Sequence, residues 1–217
     1  MQNVLKISEA FVVLLTTTLA LAGWNSTNSN AQTRATAQDT ATATTREYVA
    51  DSDHSNVLFK IRHGVTNFYS RFNDIKGSIN FDKDHIENSS MTFTVPIASV
   101  DTHNTGRDGF IKGANFFNDR QYPEATFTST SIKPLGDGVY SLTGELTLHG
   151  KTNTIEAKLL DIRTGKVRRS DVVGFEVRFT FKRSDYGMTK FLDPKNPESG
   201  LLGDTIEMIV AIEAAAK

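Results

Sequence analysis

Five histidines, His54, His63, His85, His103 and His149, have the widest chemical range in this sequence. No two stand at the i, i+4 spacing that puts a pair of imidazoles on one helix face for zinc. The densest acid–base grouping is Asp101-Thr102-His103 with Asp108, where carboxylate and imidazole could relay a proton or share a metal. The same letters also describe a solvated loop. His54-Ser55 sets a base beside a hydroxyl, but neighbours in an extended strand face opposite sides. No strained nucleophile elbow surrounds them. Gly150-Lys151-Thr152 ends as a phosphate-binding loop ends. That loop needs a glycine where Glu145 stands, and the following TNTIEAKLL reads as strand, not helix. Nucleotide binding is rejected, and neither a catalytic nor a metal set emerges.

Two polar residues stay open. His63 shares a strand phase with Val57, Phe59 and Ile61, so it serves either a backbone carbonyl or a bound head group. Arg107-Asp108 opens a predicted helix, where a carboxylate suits the positive helix end. Arg107 then pairs with an acid or faces a polar ligand.

The totals narrow the function classes. The chain has 217 residues, a net charge of -1 and no cysteine. Near-neutrality argues against nucleic acid, which needs a basic stripe, and against a polybasic membrane patch. Without cysteine there is no disulfide, thiolate zinc site, iron–sulfur cluster or thiol nucleophile.

An apolar run from Ala10 to Ala22 follows Lys6. Its length falls in the roughly 7–15 residues of a signal-peptide core and below the roughly 20 that span a bilayer. Cleavage fits after Ala22 or after Ala31, and an uncleaved tether is the alternative. The expectation is a signal peptide over 1–31, a threonine- and alanine-rich linker over 32–46 and one folded domain over 47–217. The protein is expected to be exported, periplasmic or secreted, with no membrane span after cleavage.

The elements that must position these residues alternate with period two. Val57, Phe59, Ile61 and His63 share a face, as do Ile75, Gly77, Ile79 and Phe81. So do Met91, Phe93, Val95 and Ile97, then Tyr140, Leu142, Gly144, Leu146 and Leu148. Phe175, Val177, Phe179 and Phe181 repeat the pattern, and Ile206 to Ala214 closes it. Such alternation predicts strands with one apolar face. Weaker strands fit 124–132 and 152–163, with turns at 136–138, 149–151 and Thr164-Gly165. A short helix fits within 104–117, capped by Asn104 or Thr105. An all-β domain of this kind closes as a sandwich or a barrel. The small residues Gly77, Ala125, Ser129, Gly144 and Ala214 mark either interior space or bends in the wall.

RDGFIKGANFFNDRQYPEATFTST, residues 107–130, resembles the signature of the YceI-like family. YVADSDHSNVLFKIRH (48–63), SRFNDIKGSINFD (70–82), GELTLHGKTN (144–153), RSDYGM (183–188) and GDTIEMIVAIEA (203–214) follow in the family's order. Asn115 and Asn118 stand where acids are expected, Ser70 where glycine is usual, and 189–203 is long.

The resemblance implies an extended up-and-down antiparallel eight-stranded, lipocalin-like barrel with one short helix. It implies an internal apolar channel holding a polyisoprenoid, quinone-like or other long-chain lipid, with no further cofactor and no catalysis. It also leaves a homodimer open. On that reading Phe59, Phe110, Phe116, Phe127, Tyr140 and Phe179 line the channel, while His63 and Arg107 meet the head group. Each buried CH₂ contributes about 0.8 kcal/mol, so a long tail binds without specific polar contacts. The rivals are an enzyme using His63 or Asp108, and a fully packed barrel that binds no lipid.

Overall fold

The computed structural model describes residues 44–217. The expected signal peptide and most of the expected linker lie outside the described residues. Eleven strand segments form one antiparallel sheet: β1 (Arg46–Ala50), β2 (Asn56–His63), β3 (Thr66–Phe72), β4 (Lys76–Phe81), β5 (Ser90–Pro96), β6 (Val100–Asp101), β7 (Glu124–Gly136), β8 (Val139–Leu148), β9 (Lys151–Val167), β10 (Ser170–Lys182) and β11 (Leu202–Ala216). Eight of them run β1-β4-β5-β7-β8-β9-β10-β11, and β1 pairs back onto β11. That last ladder closes the barrel, so the ring has no free edge.

β2, β3 and β6 are the upper halves of the first three staves. β11 pairs with β2 through Leu202–Ala211 and with β1 through Ala214–Ala216. β3 forms a hairpin with β2 and then pairs with β6, just as β4 pairs with β1 and then β5. The upper wall is not sealed by strands, because β6 ends at Asp101 and β7 begins at Glu124. Between them comes α1 (Thr105–Lys112). The Asn104 side chain caps it by accepting from the Arg107 backbone N–H at 2.9 Å.

Two strand segments escape the expected alternation for a physical reason. In β3 the inward set Phe68, Ser70 and Phe72 contains a serine, and the outward set contains Tyr69. In β1 only Tyr48 is buried. The expected turn at Thr164-Gly165 is corrected: both lie inside β9, and the chain reverses at Arg168-Arg169. The residues after Ile162 face solvent on both sides, so no hydrophobic period marks that extension.

The small residues do several jobs. A side chain at Gly77 would strike the Phe93 ring, and one at Gly144 would strike the Phe127 ring. Each glycine lets a neighbouring strand's aromatic lie flat on bare backbone. Ser129 instead receives the Met91 backbone N–H at 2.9 Å beside a break in the β7–β8 register. Ala125 lines open space.

The interior is split into two halves. Around the closed ring Ile79, Leu142, Val173 and Ala214 are completely buried, and Tyr48 packs edge-on against Phe81 at 6.0 Å. Side chains fill this lower half. The upper half, bounded by β2, β3, the upper ends of β10 and β11, and α1, holds a cavity.

Candidate functional site

The cavity has a volume of about 360 Å³ and is lined almost wholly by apolar side chains. β2 supplies Val57, Phe59, Ile61 and His63; β10 supplies Val177, Phe179 and Phe181; β11 supplies Ile206, Met208, Val210 and Ile212. Each set is one face of an alternating strand, which is why strands alone can build a continuous apolar wall. Phe68 and Phe72 of β3, and Ala125 and Phe127 of β7, complete the sides. Phe59 packs on Phe72 at 5.6 Å and Phe72 on Phe117 at 5.7 Å. The floor lies at Met91, Phe93, Ile155 and Ile212, where Phe93 meets Phe175 across the barrel at 6.4 Å.

Seven of the eight expected site residues, His63, Arg107, Phe59, Phe110, Phe116, Phe127 and Phe179, border this cavity. Tyr140 does not. It sits opposite Leu159 and Pro134 in the lower, packed half. Its alternation matches that of Leu146 and Leu148, but phase says nothing about height along a strand.

The polar candidates are at the open end. His63 is the last residue of β2 and is exposed, with no hydrogen-bond partner for its ring among the described residues. Arg107 neither pairs with Asp108 nor reaches a distant acid. Its guanidinium donates to the Thr102 hydroxyl at 3.0 Å and the Thr102 carbonyl at 2.6 Å, and lies 4.4 Å over the Phe68 ring. Asp108 instead accepts from the Thr102 backbone N–H at 2.8 Å and the Thr102 hydroxyl at 2.6 Å. Asp101 accepts the His103 backbone N–H, so this grouping is a loop brace and not a convergent acid–base set.

One wall residue was not singled out beforehand. Arg183 is 3 % exposed and borders the cavity. It donates to the carbonyls of Gly203 at 2.8 Å, Met188 at 2.6 Å and Leu202 at 3.2 Å. Burial pushes its pKa down, while Asp204 and Glu198 hold it up. Asp204 in turn accepts from the Ser184 N–H and hydroxyl. Arginine at the end of a strand is an unremarkable letter, and only the fold reveals that it ties 183–188 to the start of β11.

A second cluster, Asp51, His54 and Glu213, lies where the first stave breaks. The Asp51 carboxylate pairs with His54 Nδ1 at 2.8 Å, and the Asp51 N–H donates to the Glu213 carbonyl. The Ser55 hydroxyl and the Glu213 backbone also meet. These bonds staple the break onto β11, and none of the three residues borders the cavity.

A family model described as YceI-like domain matches residues 48–214. The chain belongs to the YceI-like family. A UPF0312 protein of Ectopseudomonas mendocina is 37% identical over 171 residues, covering 77% of this chain and 86% of its own. Among solved structures, Burkholderia cenocepacia BcnA superposes with a TM-score of 0.67 at 21% identity, covering 76% of this chain and 98% of its own. A polyisoprenoid binding domain from Saccharophagus degradans superposes at 0.60 with 15% identity, covering 78% and 98%. The YceI-like barrel is thus shared across sequences with few residues in common. In this YceI-like chain α1 and the segment 189–201 stand at the barrel's open end, and Phe110, Phe191 and Leu201 from them border the cavity. No helix among the described residues is long and apolar enough to cross a membrane.

Proposed function

We propose that this protein is an exported, non-catalytic lipid binder that sequesters or carries one apolar lipid, of polyisoprenoid or similar long-chain type, in the upper half of its barrel. The observation that carries this reading is the cavity itself, apolar over nearly all of its wall, floored by packed side chains and edged with His63 and Arg107 at its open end, with the wall's Arg183 engaged by backbone carbonyls. The polyisoprenoid binding of the Saccharophagus degradans domain supports the same ligand class. Tail burial alone gives strong binding, at about 0.8 kcal/mol per CH₂, so no catalytic machinery is called for. The apolar run before Ala22 supports export.

Native mass spectrometry of the purified protein, with mass spectrometry of its organic extract, tests the proposal. One lipid per chain, recovered chemically unchanged, is the expected result. Phe127→Asp puts a charge on the wall and should abolish retention. A clean apo mass with no uptake of added isoprenoid would sink the carrier reading, and a chemically altered lipid would favour an enzyme.

A further inference from the structure

Large apolar side chains are exposed at the cavity's open end in a way the barrel's own packing does not require. Val65, in the β2–β3 turn, is fully exposed; Phe110 of α1 is 50% exposed and Leu201 is 51% exposed. Phe191 is also exposed. They are neighbours. Phe110 stacks with Phe191 at 6.4 Å, and both meet Phe116. The Gly64 N–H donates to the Leu201 carbonyl at 2.8 Å, which sets Val65 beside Leu201. Three separate segments therefore bring apolar tips together around one opening, and Phe110, Phe191 and Leu201 continue inward as cavity wall.

Cations flank these tips. At the open end Arg107, Lys112 and Lys190 have no carboxylate within ion-pair distance among the described residues, and Lys190 lies over the Phe191 ring at 5.1 Å. At the closed end Arg46 and Lys166 pair with Asp171, Lys83 with Asp84 and Lys217 with Glu47, while Arg168 and Arg169 of the β9–β10 turn have no such partner among the described residues; what sets the open end apart is that its apolar tips run on into the cavity wall. The carboxylates on the same segments are engaged elsewhere, Asp108 by Thr102, Asp193 by the Lys195 and Asn196 backbone N–H groups and Glu198 by Thr205. Apolar tips flanked by cations without ion pairs match a bilayer surface, with acyl chains below and anionic phosphates above.

We infer that the open end docks onto an anionic lipid bilayer, with Val65, Phe110, Phe191 and Leu201 entering the interface and Arg107, Lys112 and Lys190 meeting phosphates. The inference rests on the lipid-binding reading and extends it to the source of the lipid. Docking makes the cavity wall continuous with the membrane's apolar layer, so a tail passes between them without crossing water.

The chain has no cysteine, so Val65→Cys takes a single environment-sensitive fluorophore. Arg169→Cys labels the opposite end of the same full chain and controls for its N-terminal apolar run. Each is mixed with vesicles of phosphatidylethanolamine and phosphatidylglycerol carrying a lipid-embedded quencher. The expected result is a blue shift and quenching at position 65 and neither at 169, weakening with salt. Val65→Asp should lower vesicle binding by about tenfold, with cavity lipid still seen by native mass spectrometry. Equal signals at both positions, or none at 65, would overturn the inference. Lipid recovered from a protein that shows no quenching at 65 overturns docking and leaves the carrier reading standing. Quenching at 65 by a protein that never takes up lipid supports docking and overturns the carrier reading instead.

Discussion

Arg183 turns a cavity wall into a fixed structure. Its three carbonyl acceptors come from the turn after β10 and the first residues of β11, which otherwise leave their oxygens buried without donors. Hydrogen bonds from a charged donor contribute about 1.5–3 kcal/mol, and an orphaned buried carbonyl costs about 1–3 kcal/mol. Arg183→Met keeps the apolar stem and removes the donors. It should destabilise the protein by about 2–4 kcal/mol, read as a lower denaturation midpoint in urea. An unchanged midpoint would mean that water or the backbone supplies the donors. Arg107 presents the contrary case. It is exposed, and is held by one threonine and one aromatic face.

At the scale of elements, what could be read beforehand followed from what each strand buries. β2, β5, β8, β10 and β11 each carry an unbroken apolar face, and their alternation locates them within a few residues. β3 hides because Ser70 points inward and Tyr69 outward, and the tip of β9 hides because it buries nothing. The aromatic wall was legible for the same reason as the strands, while Tyr140 was misplaced because phase carries no height. The breaks in the first three staves were illegible, since they are held by long-range polar contacts such as those of Asp51, His54 and Glu213. That staple predicts a pH signature. The hydrogen bond with His54 is the main cause lowering the Asp51 pKa, and the same bond is the main cause raising that of His54. The raised histidine contributes stability below its ordinary value of about 6.5, lost as pH climbs through the raised one. The depressed aspartate contributes above about 3.9, lost as pH falls through the depressed one. His54→Gln should therefore lower Tm most between about pH 4 and 6.5, with the gap from the parent narrowing on either side. A gap that does not narrow below about pH 4 or above about pH 6.5 would show that the pair does not act through charge.

At the largest scale, the described residues form two materials in one barrel. Its lower half is a solid core in a closed ring, and its upper half is a lined hollow under α1 and the 183–201 crossing. Local stability follows buried contact. Hydrogen exchange should be slowest in β1, β4 and the lower parts of β8 and β10. On the carrier reading, stripping lipid from the cavity should loosen α1 and 183–201 first, with the lower half keeping its protection. Uniform loss across both halves would mean that the two are one cooperative unit.

The solid floor at Phe93 and Phe175 has a consequence for traffic. A tube open at both ends could bridge two membranes and let lipid flow through. This barrel is a sleeve with one door. On the carrier reading proposed above, cargo would enter tail first and leave head first, and donor and acceptor would take turns at the same rim. On that same reading, a protein built this way would let go of one membrane before it served the next, shuttling lipid in place of conducting it.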